Sequence, residues 1–243
     1  MLTLANTTDD AMYSQPAGLG LSVPLVAGPI RGYWWQVASG GKLVRLLTGS
    51  YEREQSSLFL KHIRPGQQVL DIGAAVGYYT LLAARLVGPG GSVVAFEPHP
   101  ENLRYLRRHV HQNGLPNVRI FNVAVADQDG TARFGGGSGS GTSRLQEEGE
   151  FEVVVRRLDG LAETHALAPQ LLKIDVEGAE LDVLRGSAEL IRECRPTIFL
   201  STHGPTHHAA CCLLLESWGY ELAPIVGGSV AAASELLCTR KAA

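Results

Sequence analysis

Val69-Leu-Asp-Ile-Gly-Ala-Ala-Val-Gly-Tyr-Tyr-Thr80, followed a helix later by Val93-Val-Ala-Phe-Glu-Pro98, decides how this chain folds. Val69 to Ile72 reads as a buried strand, Gly73 to Gly77 as a tight turn and Tyr78 to Val87 as a helix. Val93 to Phe96 reads as the next parallel strand and closes on Glu97. An acid, two glycines and a second acid thus stand at the ends of two successive strands. In an open α/β sheet, ligands bind outside the carboxyl ends of the strands. A carboxylate after the second strand is placed to bind the vicinal hydroxyls of a ribose. The stretch predicts a site for a nucleoside-containing cofactor.

The glycine spacing narrows the choice. A dinucleotide fold uses G-x-G-x-x-G, with the middle glycine admitting a pyrophosphate to the backbone. Here the matching positions are Gly73, Ala75 and Tyr78, so two of three fail. Asp71, immediately before the turn, would repel a pyrophosphate and favour an ammonium or a sulfonium. S-adenosylmethionine (SAM) carries a ribose, an ammonium and a sulfonium but no phosphate. The expected cofactor is therefore SAM and not NAD.

The chain has 243 residues, enough for one α/β domain with an N-terminal extension. Its hydrophobic content of 45% and charged content of 19% suit an ordinary globular enzyme. A formal net charge of -3 argues against a general electrostatic grip on nucleic acid. Cys194, Cys211, Cys212 and Cys238 lack finger or C-x-x-C spacing and read as reduced, mostly buried thiols. No apolar run reaches the roughly 18 residues that span a bilayer, and the first ten residues do not resemble a signal peptide. A cytoplasmic location is the expectation.

Residues 1–50 read as an N-terminal arm or cover, loose as far as Pro29 and firmer at Trp34-Trp35 and Lys42 to Leu47. Residues 51–243 read as the main domain, entered by a helix from Tyr51 to Ile63. Strand and helix then alternate, the signature of a parallel sheet. A helix is expected at Glu101 to Asn113 and a third strand at Val118 to Val123. Thr131 to Phe134 and Phe151 to Arg156 suggest an added pair of strands, with a mobile loop at Gly135 to Gly141 between them. A strand at Leu171 to Asp175, one helix at Ala179 to Arg192, and a strand at Pro196 to Ser201 come next. A helix at His207 to Trp218 and strands at Tyr220 to Val226 and Glu235 to Arg240 close the chain.

Leu172-Lys-Ile-Asp-Val-Glu-Gly-Ala-Glu-Leu-Asp-Val-Leu-Arg-Gly186 resembles the signature of the FkbM-type family of SAM-dependent methyltransferases. Leu70 to Gly73, Gly77 to Thr80, Phe96 to Pro98, Asn122 to Val125, Arg157 to Asp159 and Arg195-Pro196 support the resemblance, which covers roughly Tyr51 to Tyr220. It implies an α/β, Rossmann-like class I methyltransferase fold: a seven-stranded, mostly parallel sheet with helices on both faces, its final strand antiparallel. It also implies O-methylation of sugars or tailored natural products.

Residue by residue, the resemblance implies that Asp71, Gly73, Gly77 and Thr80 belong to the SAM loop and that Glu97 with Pro98 holds the ribose. Asn122 to Ala124 would lie along the adenine, and Tyr51 with Glu52 would cover the methionine end. Ala75 departs from the Asn that many relatives carry. Asp175, at a strand end, is expected to face the cleft rather than only cap a helix. Glu180 and Asp182 read as solvated or paired with Arg185.

Methyl transfer to an alcohol needs positioning and a route for the hydroxyl proton. His203, at the end of the fifth strand, is the candidate base, and Lys173 would orient substrate or pair with Asp175. Asp175, Glu177, His203, His207 and His208 include metal-ligand types, yet His207 and His208 only open a helix, so no metal is expected. Arg104, Arg107, Arg108, His109 and His111 read as a solvated helix face. The chain is thus read as a SAM-dependent O-methyltransferase of a small or medium-sized hydroxylated acceptor. A metal-assisted or N-directed methyltransferase and a non-catalytic SAM-binding module are the alternatives. The expected partner is the small-molecule acceptor, without nucleic acid or membrane, and with a homodimer left open.

Overall fold

A computed structural model describes residues 20–40, 42–135, 144–146 and 149–240 of the chain. The chain enters through a two-stranded antiparallel ribbon, β1 (Ser22–Pro24) and β2 (Trp34–Gln36). Helices α1 (Leu43–Leu47) and α2 (Arg53–His62) follow. Leu25, Ile30, Trp35 and Leu46 are buried in the same apolar cluster as Phe59, so residues of this segment are packed into the core.

The deciding stretch folds as its pattern requires. Strand β3 (Gln68–Ile72), helix α3 (Tyr78–Val87), strand β4 (Ser92–Phe96) and helix α4 (Pro100–Gln112) come in turn, then strand β5 (Val118–Phe121). A second, four-stranded sheet is built from β6 (Ala124–Val125), β7 (Gly130–Gly135), β8 (Arg144–Gln146) and β9 (Phe151–Arg156). Helix α5 (Leu158–His165) leads to β10 (Leu171–Ile174), α6 (Glu180–Gly186), α7 (Ala188–Cys194) and β11 (Thr197–Ser201). Helix α8 (Pro205–Ser217), β12 (Tyr220–Pro224) and β13 (Glu235–Arg240) complete the fold.

The main sheet has seven strands in the order β12-β13-β11-β10-β3-β4-β5, with β13 antiparallel to both neighbours. Its central strands are buried on both sides, as a parallel sheet covered on both faces demands, and apolar there but for Asp71, Lys173 and Ser201. Alternate residues serve opposite faces. Val69, Val93, Leu171 and Phe199 join residues of α2, α3 and α4 in one cluster. Leu70, Val94, Leu172 and Ile198 join residues of α5, α6, α7 and α8 in the other.

Four expectations are corrected. The third strand stops at Phe121, because Ala124 and Val125 leave it to pair in parallel with Val155 and Arg156. The added pair is instead a four-stranded sheet, with β7 antiparallel to both β8 and β9. The helix expected over Ala179 to Arg192 is two helices. Gly186 packs so closely on the Ala126 carbonyl that a Cβ would sit 1.9 Å from its oxygen, and Ser187 Oγ bonds back to the Val183 carbonyl. Helix α5 was not foreseen. Most of the loop expected at Gly135 to Gly141 lies outside the described residues.

Among the described residues, no helix is long and apolar enough to cross a membrane.

Candidate active site

A cavity of about 380 Å³ opens at the carboxyl ends of β3, β4 and β10, within the range of roughly 300–1,000 Å³ common for small-molecule sites. Its floor is the turn from Gly73 to Gly77, with Gly73 and Gly77 both in left-handed backbone conformations. Gly73 is dictated by contact, since a Cβ there would lie 1.8 Å from the Asp175 carbonyl oxygen. The turn therefore lies directly against the start of the Asp175 loop. Ala75, the departure noted in the sequence, adopts φ +49°.

At one end, Glu97 is buried and accepts hydrogen bonds from the backbone N–H groups of Ala75 (2.7 Å) and His99 (2.8 Å) and from Asn102 (3.4 Å). Burial outweighs these bonds and raises its pKa to about 7. Phe96, Pro98, Val123, Ala124, Val125 and Phe134 give this end apolar walls. A buried carboxylate beside a flat apolar slot suits a ribose and its base.

The other end is ionic. Lys173 is buried, and its Nζ stands 3.2 Å from Asp175 Oδ2 and 4.0 Å from Asp71 Oδ1. Burial works to lower the Lys173 pKa, but the two acids outweigh it and keep the ammonium charged. Burial likewise pushes Asp175 up, while Lys173 and His203 hold it below the usual carboxylate range.

Asp175 and Glu177 line the cavity, and His203 stands behind them. His203 Nε2 is 3.4 Å from Glu177 and 4.0 Å from Asp175, and Nδ1 is 2.8 Å from Glu180. The bond to Glu180 chiefly, with the charges of the three acids, raises the His203 pKa to about 9. Near neutral pH the ring is a cation among carboxylates.

The sequence-predicted residues divide accordingly. Tyr51, Gly73, Gly77, Glu97, Pro98, Ala124, Lys173 and Asp175 all line the cavity. Asp71 and Thr80 do not. Asp71 is buried beneath the turn, where Thr80 Oγ1 donates to it at 2.6 Å and Lys173 Nζ stands 4.0 Å away. Asn122 is exposed and outside the cavity, because the chain turns after β5 and presents Val123 and Ala124 instead. Glu180 is fully buried on His203, whereas Arg185 pairs with Asp182 at 3.6 Å. His208 is held by Thr202 and the Val230 carbonyl, apart from the acid cluster.

The sequence reading expected a cover before the domain but named none of its residues as lining the site. Trp35, Ser39, Gly40, Lys42 and Leu46 all line the cavity. It also missed His109, which is buried rather than solvated and stacks on Trp35 with ring centroids 4.0 Å apart. Its Nε2 accepts from the Gln36 N–H and its Nδ1 bonds the carbonyl of Val76, in the cavity floor.

This sheet order, with an acid-ended second strand over a glycine turn, defines a class I SAM-dependent methyltransferase domain. Residues 71–222 match the Methyltransferase FkbM domain, more than half of the chain, and the chain belongs to that family. It is 32% identical over 166 residues to the 31-O-demethyl-FK506 methyltransferase FkbM of Streptomyces tacrolimicus, covering 53% of this chain and 63% of that one. The 2-O-methyltransferase NoeI of Sinorhizobium fredii is 27% identical over 153 residues, covering 54% and 62%. The crystal structure of Methyltransferase FkbM from Methylobacillus flagellatus superposes with a TM-score of 0.50 at 18% identity, over 76% of this chain and 50% of that one; this likeness bears on the fold alone. The chain spans under two thirds of the length of these curated relatives.

Proposed function

We propose that the protein is a SAM-dependent O-methyltransferase of a small or medium-sized hydroxylated acceptor, of sugar or secondary-metabolite type. One observation carries the reading: the Gly73 turn, the buried Glu97 and the Asp175–Glu177 pair all line a single cavity. Glu97 would accept the ribose hydroxyls, and Gly73 would let the cofactor approach the backbone. Tyr51 and Lys42, joined at 2.8 Å, would close the methionine end. The name of the 2-O-methyltransferase NoeI, and the O-demethyl substrate in the name of the 31-O-demethyl-FK506 methyltransferase FkbM, favour oxygen as the acceptor atom.

Bound SAM supplies a methyl group on a sulfonium: the acceptor oxygen forms the new C–O bond while the C–S bond breaks and its electron pair stays on sulfur, leaving S-adenosylhomocysteine. The residues here would orient the hydroxyl and receive its proton. Asp175 and Glu177 face the cavity and would meet the hydroxyl first. His203, behind them, is a base only where the pH approaches about 9. Lys173 would fix Asp175 through its Oδ2. The segment up to residue 50 would act as an acceptor-side cover, since Trp35, Ser39 and Lys42 line the cavity.

The test measures SAM binding by calorimetry and S-adenosylhomocysteine release across a panel of hydroxylated acceptors. Glu97→Ala should weaken SAM by tenfold or more, while Glu177→Gln should lower turnover and leave SAM affinity near the wild-type value. Tight SAM binding with no release from any acceptor would favour a binding module and defeat the enzyme reading.

A further inference from the structure

We propose that Asp175, Glu177 and His203 form a binding site for one divalent cation at the acceptor end of the cavity. The existence of the site stands on geometry, and its role in catalysis rests on the methyltransferase reading. One oxygen of each acid and one nitrogen of His203 lie within 4.8 Å of one another. Donors about 2.1 Å from a shared ion sit roughly 3–4 Å apart. Nε2 is already 3.4 Å from Glu177 and 4.0 Å from Asp175, so a small inward shift completes the set.

Neighbouring groups hold these donors in place. Lys173 occupies Asp175 Oδ2 and leaves Oδ1 toward His203. Glu180 Oε1 takes Nδ1 of the ring, which turns Nε2 to the two acids. A metal-bound imidazole characteristically passes its other N–H to a carboxylate in this way. The Gly178 N–H, donating to the same Oε1 at 2.9 Å, ties this carboxylate to the loop that carries Asp175 and Glu177.

A second observation points to a missing cation. Glu180 is fully buried, yet its Oε2 has no hydrogen-bond partner among the described residues. A carboxylate desolvated on one side is costly unless positive charge stands nearby. Three carboxylates meet the His203 ring, whose single charge cannot offset them all, and Lys173 contacts only Asp175 among them; an ion bound at Nε2 would displace the ring's second proton and put two charges in its place. The side chains of Asp175, Glu177 and His203 are each about a third exposed, which leaves coordination positions open to oxygen atoms from water or acceptor.

Two carboxylates and one imidazole suit a hard to borderline ion, and Mn²⁺ is the matching probe. There the ion would hold the acceptor hydroxyl and make it more acidic. An acceptor with two adjacent oxygens would chelate it best.

The test titrates Mn²⁺ into the full chain and follows loss of the free-ion electron paramagnetic resonance signal, with and without SAM. One Mn²⁺ per chain is expected. His203→Ala and Glu177→Gln should each weaken it by tenfold or more, and Glu180→Gln by about tenfold. Asp182→Asn, on the same helix but outside the cluster, should leave it unchanged. SAM binding by the variants reports that they are folded. No Mn²⁺ binding by the wild type, or equal binding by the His203 and Glu177 variants, would overturn the site. Methyl transfer undiminished after chelation would overturn its catalytic role while the methyltransferase reading stands. Mn²⁺ binding without SAM binding would support the site and count against that reading.

Discussion

Lys173 and Asp71 are register partners on adjacent parallel strands, and their charged groups lie 4.0 Å apart beneath the cavity floor, both buried. Neither charge is in water, so each depends on its neighbours for compensation. They are not equally dependent. Lys173 keeps Asp175 if Asp71 is lost, whereas Asp71 keeps only Thr80 if Lys173 is lost. Lys173→Met should therefore destabilise the fold by about 3–5 kcal/mol and Asp71→Asn by less. The double variant should recover part of the loss. Urea denaturation of the four proteins checks this, and strictly additive losses would show that the pair is not coupled.

Glu97 predicts a pH dependence with a defined sign. Burial raises its pKa to about 7 in the free protein, above its ordinary value. The folded state thus holds a proton that the unfolded chain has released. The stability this gives is full below the ordinary carboxylate range and is lost as pH rises through about 7. SAM affinity should move the other way, because ribose hydroxyls donate to a carboxylate and not to a neutral acid's O–H. Calorimetry between pH 6 and 8 in buffers of different ionisation heat should show SAM binding tightening with pH and releasing protons. Glu97→Gln should bind weakly and lose that slope. A slope that persists in the variant would assign it elsewhere.

The turn separates what sequence can disclose from what it cannot. Strand β3, helix α3 and strand β4 were legible because apolar runs, a helical span and two turn glycines agreed. Gly73 was legible as a glycine, but its reason, the Asp175 carbonyl 1.8 Å from where a Cβ would be, spans a hundred residues. Glu180 was misread for a related reason. An acid in the first turn of a helix ordinarily faces water, and only the fold brings His203 to it from 23 residues away. Asn122 lies outside the cavity because the strand ends at Phe121, two residues before the expected Val123, and the chain leaves the sheet there to pair Ala124 and Val125 with β9.

From the same turn comes a pair of opposed predictions. Gly73→Ala places a methyl into the Asp175 carbonyl and forces an L side chain into φ +80°, so it should abolish SAM binding and lower stability sharply. Ala75 already bears a Cβ at φ +49°. Asn tolerates that region better than Ala. Ala75→Asn should stabilise the protein by about 0.5–1 kcal/mol, or roughly 2 °C in Tm. Differential scanning fluorimetry of both variants checks the pair, and a destabilised Ala75→Asn would mean that the turn has no room for the amide.

His109 joins the entering segment to the cofactor turn, and its acid response tests that connection. The Gln36 N–H donates to Nε2, so Nε2 carries no proton, and the ring proton on Nδ1 goes to the Val76 carbonyl. Both nitrogens are occupied, and burial lowers the pKa to about 4. Protonating Nε2 would set a second N–H against that of Gln36. Between about pH 6.5 and 4 the unfolded chain takes up a proton that the folded ring refuses, so stability must fall as the pH drops through that window. His109→Ala should flatten this limb of the Tm–pH curve. It should also cost about 2–4 kcal/mol at neutral pH, by leaving the Gln36 N–H and Val76 carbonyl unpaired and removing the stack on Trp35. Because Val76 lines the cavity, the variant's SAM affinity should fall as well. An acid limb as steep in the variant as in the wild type would place that proton on another group.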